Sequence, residues 1–200
     1  MVRDKFTVVN IRDYVQDNGD SEISENELEK IISNFSCPLN QNVEKFLREQ
    51  AIEFTKKNQS VTYLVFSKDE ATLVGYFTLA TKPIEIKSNI FSKTVQRKIA
   101  RVSEYNSKQE VFHLSAYLIA QLGKNFKEGA NHKITGQELL KIARNKIKDL
   151  QYMLGGMVAF LEAEVNDKLL DFYTKQNDFK EFDTRTVGSM NQLVQLLVTL

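Results

Sequence analysis

The residues best placed to do chemistry begin at Thr135-Gly136-Gln137-Glu138. A hydroxyl followed three residues later by Glu is the capping-box pattern that opens a helix. An apolar run, His113 to Leu122, precedes it across a hydrophilic loop. The first amides of a helix have no acceptor within it, so a strand feeding a helix start can cradle a phosphate. The same arrangement also serves as a plain structural connection. Carboxylates that can take a proton are Glu162 and Glu164, on one face of a strand, and Glu85; the competing reading is solvated charge at strand ends. His113 and His132 are too isolated in sequence to form a metal pair. Cys37 is the single cysteine, and neither a nucleophilic triad nor zinc-ligand spacing is present.

These groups need positioning, and the pattern around them is dense. Eight apolar or small residues among the ten from His113 to Leu122 predict a strand covered on both faces. Leu139, Ala143, Ile147, Leu150 and Leu154 recur at helical spacing, with Gly155-Gly156 as the stop. Met157 to Glu164 reads as a buried strand that returns parallel to the first in a right-handed crossover. Asn166 caps a helix bearing Leu169, Leu170 and Tyr173, which ends at Asn177-Asp178. Phe179–Arg185 and Met190–Thr199 are two further strands joined around Gly188.

The first half supplies a strand at Phe6–Ile11 and a turn at Asn18-Gly19-Asp20. A helix opens at the Ser24/Glu27 capping box and stops at Cys37-Pro38. A second amphipathic helix runs from Val43 to Phe54. Val61–Ser67 and Thr72–Ala80 form an antiparallel hairpin, in which Gly75 marks a bulge or a close backbone approach. Pro83 belongs at a strand end or on an edge. Between Lys87 and Glu110 lies a basic segment with a short helix, read either as a solvated face or as a lid toward an acidic ligand. The result is one α/β domain over 1–200, with that insertion at about 87–110.

The 200 residues, 42% hydrophobic and 26% charged, are enough for a sizeable core. A net charge of +1 gives no general case for nucleic acid or an anionic membrane. Met1-Val2-Arg3-Asp4 does not open a signal peptide, and no apolar run is long enough to span a bilayer. With one cysteine, the expected location is a reducing cytoplasm. The apolar last strand, Leu193–Leu200, offers an edge for a homodimer.

This order of elements resembles the GNAT superfamily of acyl-CoA N-acyltransferases over most of the chain. Two stretches carry the resemblance: Leu118-Ile119-Ala120-Gln121-Leu122 with Thr135-Gly136-Gln137-Glu138-Leu139-Leu140, and Asn166 with Tyr173 seven residues later. It implies a mixed, mostly antiparallel twisted sheet with one parallel pair, flanked by helices. It also implies transfer of an acetyl group from acetyl-CoA to a primary amine, without a metal. Leu122 and Lys124 would then offer backbone groups to the pantetheine arm. Lys133, Thr135, Gly136 and Gln137 would hold the pyrophosphate, with Asn166 touching the cofactor. Tyr173 would act as general acid, and Glu162 is a candidate base. The family loop usually reads Arg or Gln, two residues, Gly, one residue, then Gly or Ala. Aligning Gly136 with the first glycine puts Lys133 at the basic end but Glu138 where a small residue belongs. The alignment preferred here, since Glu138 is accounted for as a cap, makes Gly136 the second glycine, with Ile134 in the place of the first and Asn131 at the basic position.

Overall fold

The computed structural model describes residues 5–15, 25–188 and 191–200. The opening Met1–Asp4, the turn at Asn18-Gly19-Asp20, Ser24 of the first capping box and Met190 lie outside the described residues. Alternating β-branched and aromatic stretches form strands β1 (Phe6–Asn10), β2 (Val61–Ser67), β3 (Leu73–Lys87), β4 (Glu104–Asn106), β5 (Val111–Lys124), β6 (Val158–Glu164), β7 (Lys180–Val187) and β8 (Asn191–Thr199). They make one sheet of order β1-β2-β3-β5-β6-β8-β7, with β4 also paired to β5. β5 and β6 are parallel, through Tyr117↔Ala159, Leu118↔Phe160 and Ile119↔Leu161. The β1–β2, β2–β3, β4–β5, β6–β8 and β7–β8 pairs are antiparallel.

Two compact units make up the chain. The first comprises Met1–Ala80 and Ala120–Asn145. Its helices are α1 (Arg12–Val15), α2 (Glu25–Ser33), α3 (Gln41–Lys45) and α4 (Ala51–Lys56). A π-helical turn, Phe46–Gln50, joins α3 to α4. Leu28, Ile32, Phe35, Phe46, Leu47 and Ala51 project from this helical layer into a core shared with Leu64, Leu73 and Tyr76 of the sheet. That core is apolar because helical periodicity puts apolar side chains on one stripe.

Glycine decides how tightly this unit closes. A Cβ on Gly123 would lie 2.4 Å from Val43 Cγ1, and one on Gly75 would lie 2.8 Å from the Gly123 carbonyl oxygen. Both strands therefore approach their neighbours more closely than any side chain permits. The β2–β3 register also shifts beside Gly75, from Val65↔Gly75 to Phe66↔Leu73. Bulge and close approach, read as alternatives from the sequence, occur together. α2 closes at Ser33, before Cys37-Pro38, with the chain turning through Asn34 N–H to Ile31 O.

The second unit comprises Thr81–Ile119 and Lys146–Leu200. It holds the basic helix α5 (Lys93–Ile99), capped by Ser92 and anchored by buried Ile99. It also contains α7 (Asp167–Asn177). α6 (Gly136–Leu154) starts in the first unit and ends in the second. β3 is a single strand of 15 residues that runs through Pro83. Pro83 lies past the last pair with β2, Val61↔Leu79, so its missing N–H breaks no bond of that ladder. β8 pairs on one side with β6 and on the other with β7. The expected pairing of Leu193–Leu200 with a second copy is thus corrected: both of its edges are already used. Leu154, expected on the apolar face of α6, is 77% exposed, because it sits past the last buried turn at Ile147. The left-handed residue ending α7 is Asp178 (φ 63°) rather than Asn177.

Candidate active site

At the start of α6 the capping box forms as the sequence predicts. Thr135 donates from both its N–H and its Oγ1–H to Glu138 Oε2, each at 2.9 Å, and Glu138 N–H donates to Thr135 Oγ1 at 3.1 Å. The Thr135 amide is thereby satisfied inside the protein. The Lys133 amide is too, donating to Ala130 O at 3.1 Å. Gly136 and Gln137, the next two positions, donate to no described residue. Of the four loop positions named from the sequence, these two retain open amides, and the helix dipole adds to their pull on an anion. The hydrogen bond from Thr135 holds the Glu138 carboxyl below the usual carboxylate range.

The loop ahead of α6 turns through Glu128 (φ 51°) and Gly129 (φ 76°), with Ala130 and Ile134 buried beneath it. Position 134, where the family places a glycine, therefore carries a core side chain here. Lys133 does not stand open: its Nζ bonds Glu70 and Thr72 Oγ1 in the segment joining β2 to β3. Asn125, passed over in the sequence, is buried and uses both ends of its amide. Its Oδ1 accepts from Ser36 N–H (2.9 Å) and Lys127 N–H (3.1 Å). Its Nδ2 donates to Leu73 O (2.8 Å) and Asn34 O (3.3 Å). Its partners Ser36, Asn34 and Leu73 lie 52 to 91 positions away, so no local sequence pattern signals this role. Leu122 and Lys124 lie half-buried at the end of β5, in the same unit.

In the second unit, Asn166 is the N-cap of α7: its Oδ1 accepts from Leu169 N–H at 3.1 Å. Tyr173 is 7% exposed and lies edge-on to Phe172 and Phe179, with ring centroids 5.1 and 5.6 Å away. Burial among these rings pushes its phenol up to about 12. Its hydroxyl bonds no described residue. Glu162 is committed elsewhere, to Arg185 Nη1 at 3.2 and 3.3 Å and Gln195 Nε2 at 2.8 Å. Glu85 pairs with His113 Nδ1 at 3.1 Å. Among the described residues, no group of three or more His, Cys, Asp or Glu is arranged to hold a metal ion.

No protein-family model and no curated protein matches the sequence. Solved structures do. The chain is similar to AtaT complexed with acetyl-methionyl-tRNAfMet, at 18% identity over 94% of this chain and 93% of that one, TM-score 0.59. It is similar to a Tyr-to-Phe mutant of KacT at 19% identity, over 98% and 95% of the two chains, TM-score 0.61. It also matches a Tyr-to-Phe mutant of the AtaT toxin bound to the C-terminus of the antitoxin AtaR and acetyl-CoA, at 14% identity over 97% and 92%, TM-score 0.56. AtaT and KacT are GNAT-fold proteins. The chain has the GNAT fold.

Within the GNAT fold, the succession β5, loop, α6, β6, α7 is the one expected from the sequence resemblance, including the parallel β5–β6 pair. The ladder between those strands is three residue pairs long and ends at Ile119↔Leu161. What the GNAT comparison could not supply is the loop sequence, which departs from the family pattern and is held by Asn125, Glu138 and Glu70 instead.

Proposed function

We propose that the chain is an acetyl-CoA-dependent N-acetyltransferase acting on a primary amine. The observation that carries the reading is the pair of open amides, Gly136 and Gln137, at the start of a 19-residue helix that follows β5 in a GNAT fold. They are the groups to receive the diphosphate of acetyl-CoA. The amine nitrogen attacks the thioester carbonyl, the new C–N bond forms, and the C–S bond breaks to leave CoA thiolate. Tyr173 gives its phenolic proton to that sulfur and regains one from solvent, while the amine's proton passes to water. A phenol kept protonated by burial is always loaded for this step at neutral pH. Glu162, tied to Arg185 and Gln195, is poorly disposed to be the base. Two of the neighbours being Tyr-to-Phe mutants supports singling out a tyrosine.

The acceptor amine in this reading is carried on RNA. AtaT, the neighbour complexed with acetyl-methionyl-tRNAfMet, supports it. So does the charge on α5 and its flanks. Lys87, Lys93, Arg97, Lys98 and Arg101 are exposed and form no ion pair with a described residue, and no carboxylate occurs from residue 88 to 103. The net charge of +1, which argued against nucleic acid, averages this segment away.

The test is thiol release from acetyl-CoA in the presence of amines and aminoacyl-RNA, together with calorimetry. Wild-type chain should bind CoA, and Tyr173→Phe should bind equally but turn over about 10²–10⁴-fold more slowly. No CoA binding ends the proposal. Glu138 on the Thr135 amide and Glu70 on Lys133 favour a second reading, a GNAT-fold binding module without turnover. It predicts CoA binding with no thiol release from either protein.

A further inference from the structure

Lys124 closes β5, and its side chain does not reach solvent freely. Its Nζ donates to Asn131 O at 3.0 Å and to Ile134 O at 3.3 Å, and sits 5.9 Å from the centre of the Phe126 ring. One ammonium thus binds two carbonyls of the loop that leads into α6. In a planar trans peptide the N–H of the next residue points opposite to the carbonyl. Drawing Asn131 O and Ile134 O toward Lys124 therefore turns the His132 and Thr135 amides to the other side. From there Thr135 meets Glu138, and the helix opens with the Gly136 and Gln137 amides unshared.

We infer that Lys124 is a positioning residue: it sets the loop conformation that aims the Gly136 and Gln137 amides at the cofactor diphosphate, without touching the cofactor through its own side chain. The inference rests on the acetyl-CoA reading above. A lysine here is chemically apt, because an ammonium has three donors and two carbonyls occupy two of them. Bonds between a charged donor and a carbonyl are stronger than neutral ones, so a single residue can hold a loop containing two left-handed positions. The sequence alone suggested only backbone groups at this residue.

The experiment compares Lys124→Met and Lys124→Arg with wild type in the full chain, by calorimetry with acetyl-CoA and with S-acetylpantetheine, which lacks the diphosphate. Lys124→Met should weaken acetyl-CoA binding about tenfold or more, the worth of lost charge-assisted bonds. S-acetylpantetheine binding should stay within twofold of wild type, and Lys124→Arg should recover part of the loss. A general loss of folded structure would weaken both ligands together, and that outcome, or unchanged acetyl-CoA binding by Lys124→Met, overturns the inference. Failure of the underlying reading shows separately, as a wild-type chain that binds neither ligand.

Discussion

Tyr173 carries two consequences at the scale of one side chain. Its phenol ionises at about 12 in the folded chain against 10 when exposed, because burial disfavours the charged form. Between those values the unfolded chain gives up the proton first, so stability is fully present below pH 10 and falls as pH rises toward 12. That difference is worth roughly 2–3 kcal/mol. Tyr173→Phe removes this contribution, and its alkaline unfolding curve, followed by circular dichroism, should be shallower above pH 10 than that of wild type. Tyr76, also pushed up by burial, remains to titrate in both proteins. Glu138 gives a second expectation. It places a carboxylate beside the amides proposed to hold a diphosphate. Glu138→Gln keeps a capping side chain but removes the charge, so CoA should bind roughly two- to fivefold more tightly by calorimetry, the worth of one charge at a helix start. Weaker binding would mean that the carboxylate organises the site.

The elements of this fold were legible where a periodic pattern met a clear stop. α6 was readable from Thr135 to its Gly155-Gly156 end because the capping box and the left-handed glycines are local signals. The Asn166 cap was readable for the same reason. β4 was missed because three residues in a polar stretch give no period to detect. The lower half of β3 was missed because Pro83 ordinarily ends a strand, whereas here it lies beyond the end of the β2 ladder. Nothing local could show that Glu70 meets Lys133, 63 positions away, or that Asn125 joins Leu73 to Ser36. The glycines yield a prediction at this scale. Gly123→Ala would drive a methyl into Val43, at the point where α3 packs on β5. Overpacking of this kind costs about 1–3 kcal/mol, so Tm should fall by several degrees. An unchanged Tm would show that Val43 can move aside.

Across the whole molecule, charge is distributed rather than balanced. The chain sums to +1, yet the segment around α5 concentrates cations without carboxylates. Replacing Lys93, Arg97, Lys98 and Arg101 by Ala should weaken RNA binding at low salt. It should also flatten the dependence of log affinity on log salt by up to about 3, at about 0.7 for each lost contact to a single strand. A slope that does not change would put the RNA elsewhere or remove it. The order β6-β8-β7 has a different outcome, for how the chain is made. β7 joins the sheet only through β8, which is the last strand in sequence. Until residues 191–199 have left the ribosome, β7 has no ladder partner and β6 presents an open rim of amides and carbonyls. The β6-β8-β7 ladder can therefore form only once residues 191–199 are available, a window in which a holdase chaperone would find its best target in β6.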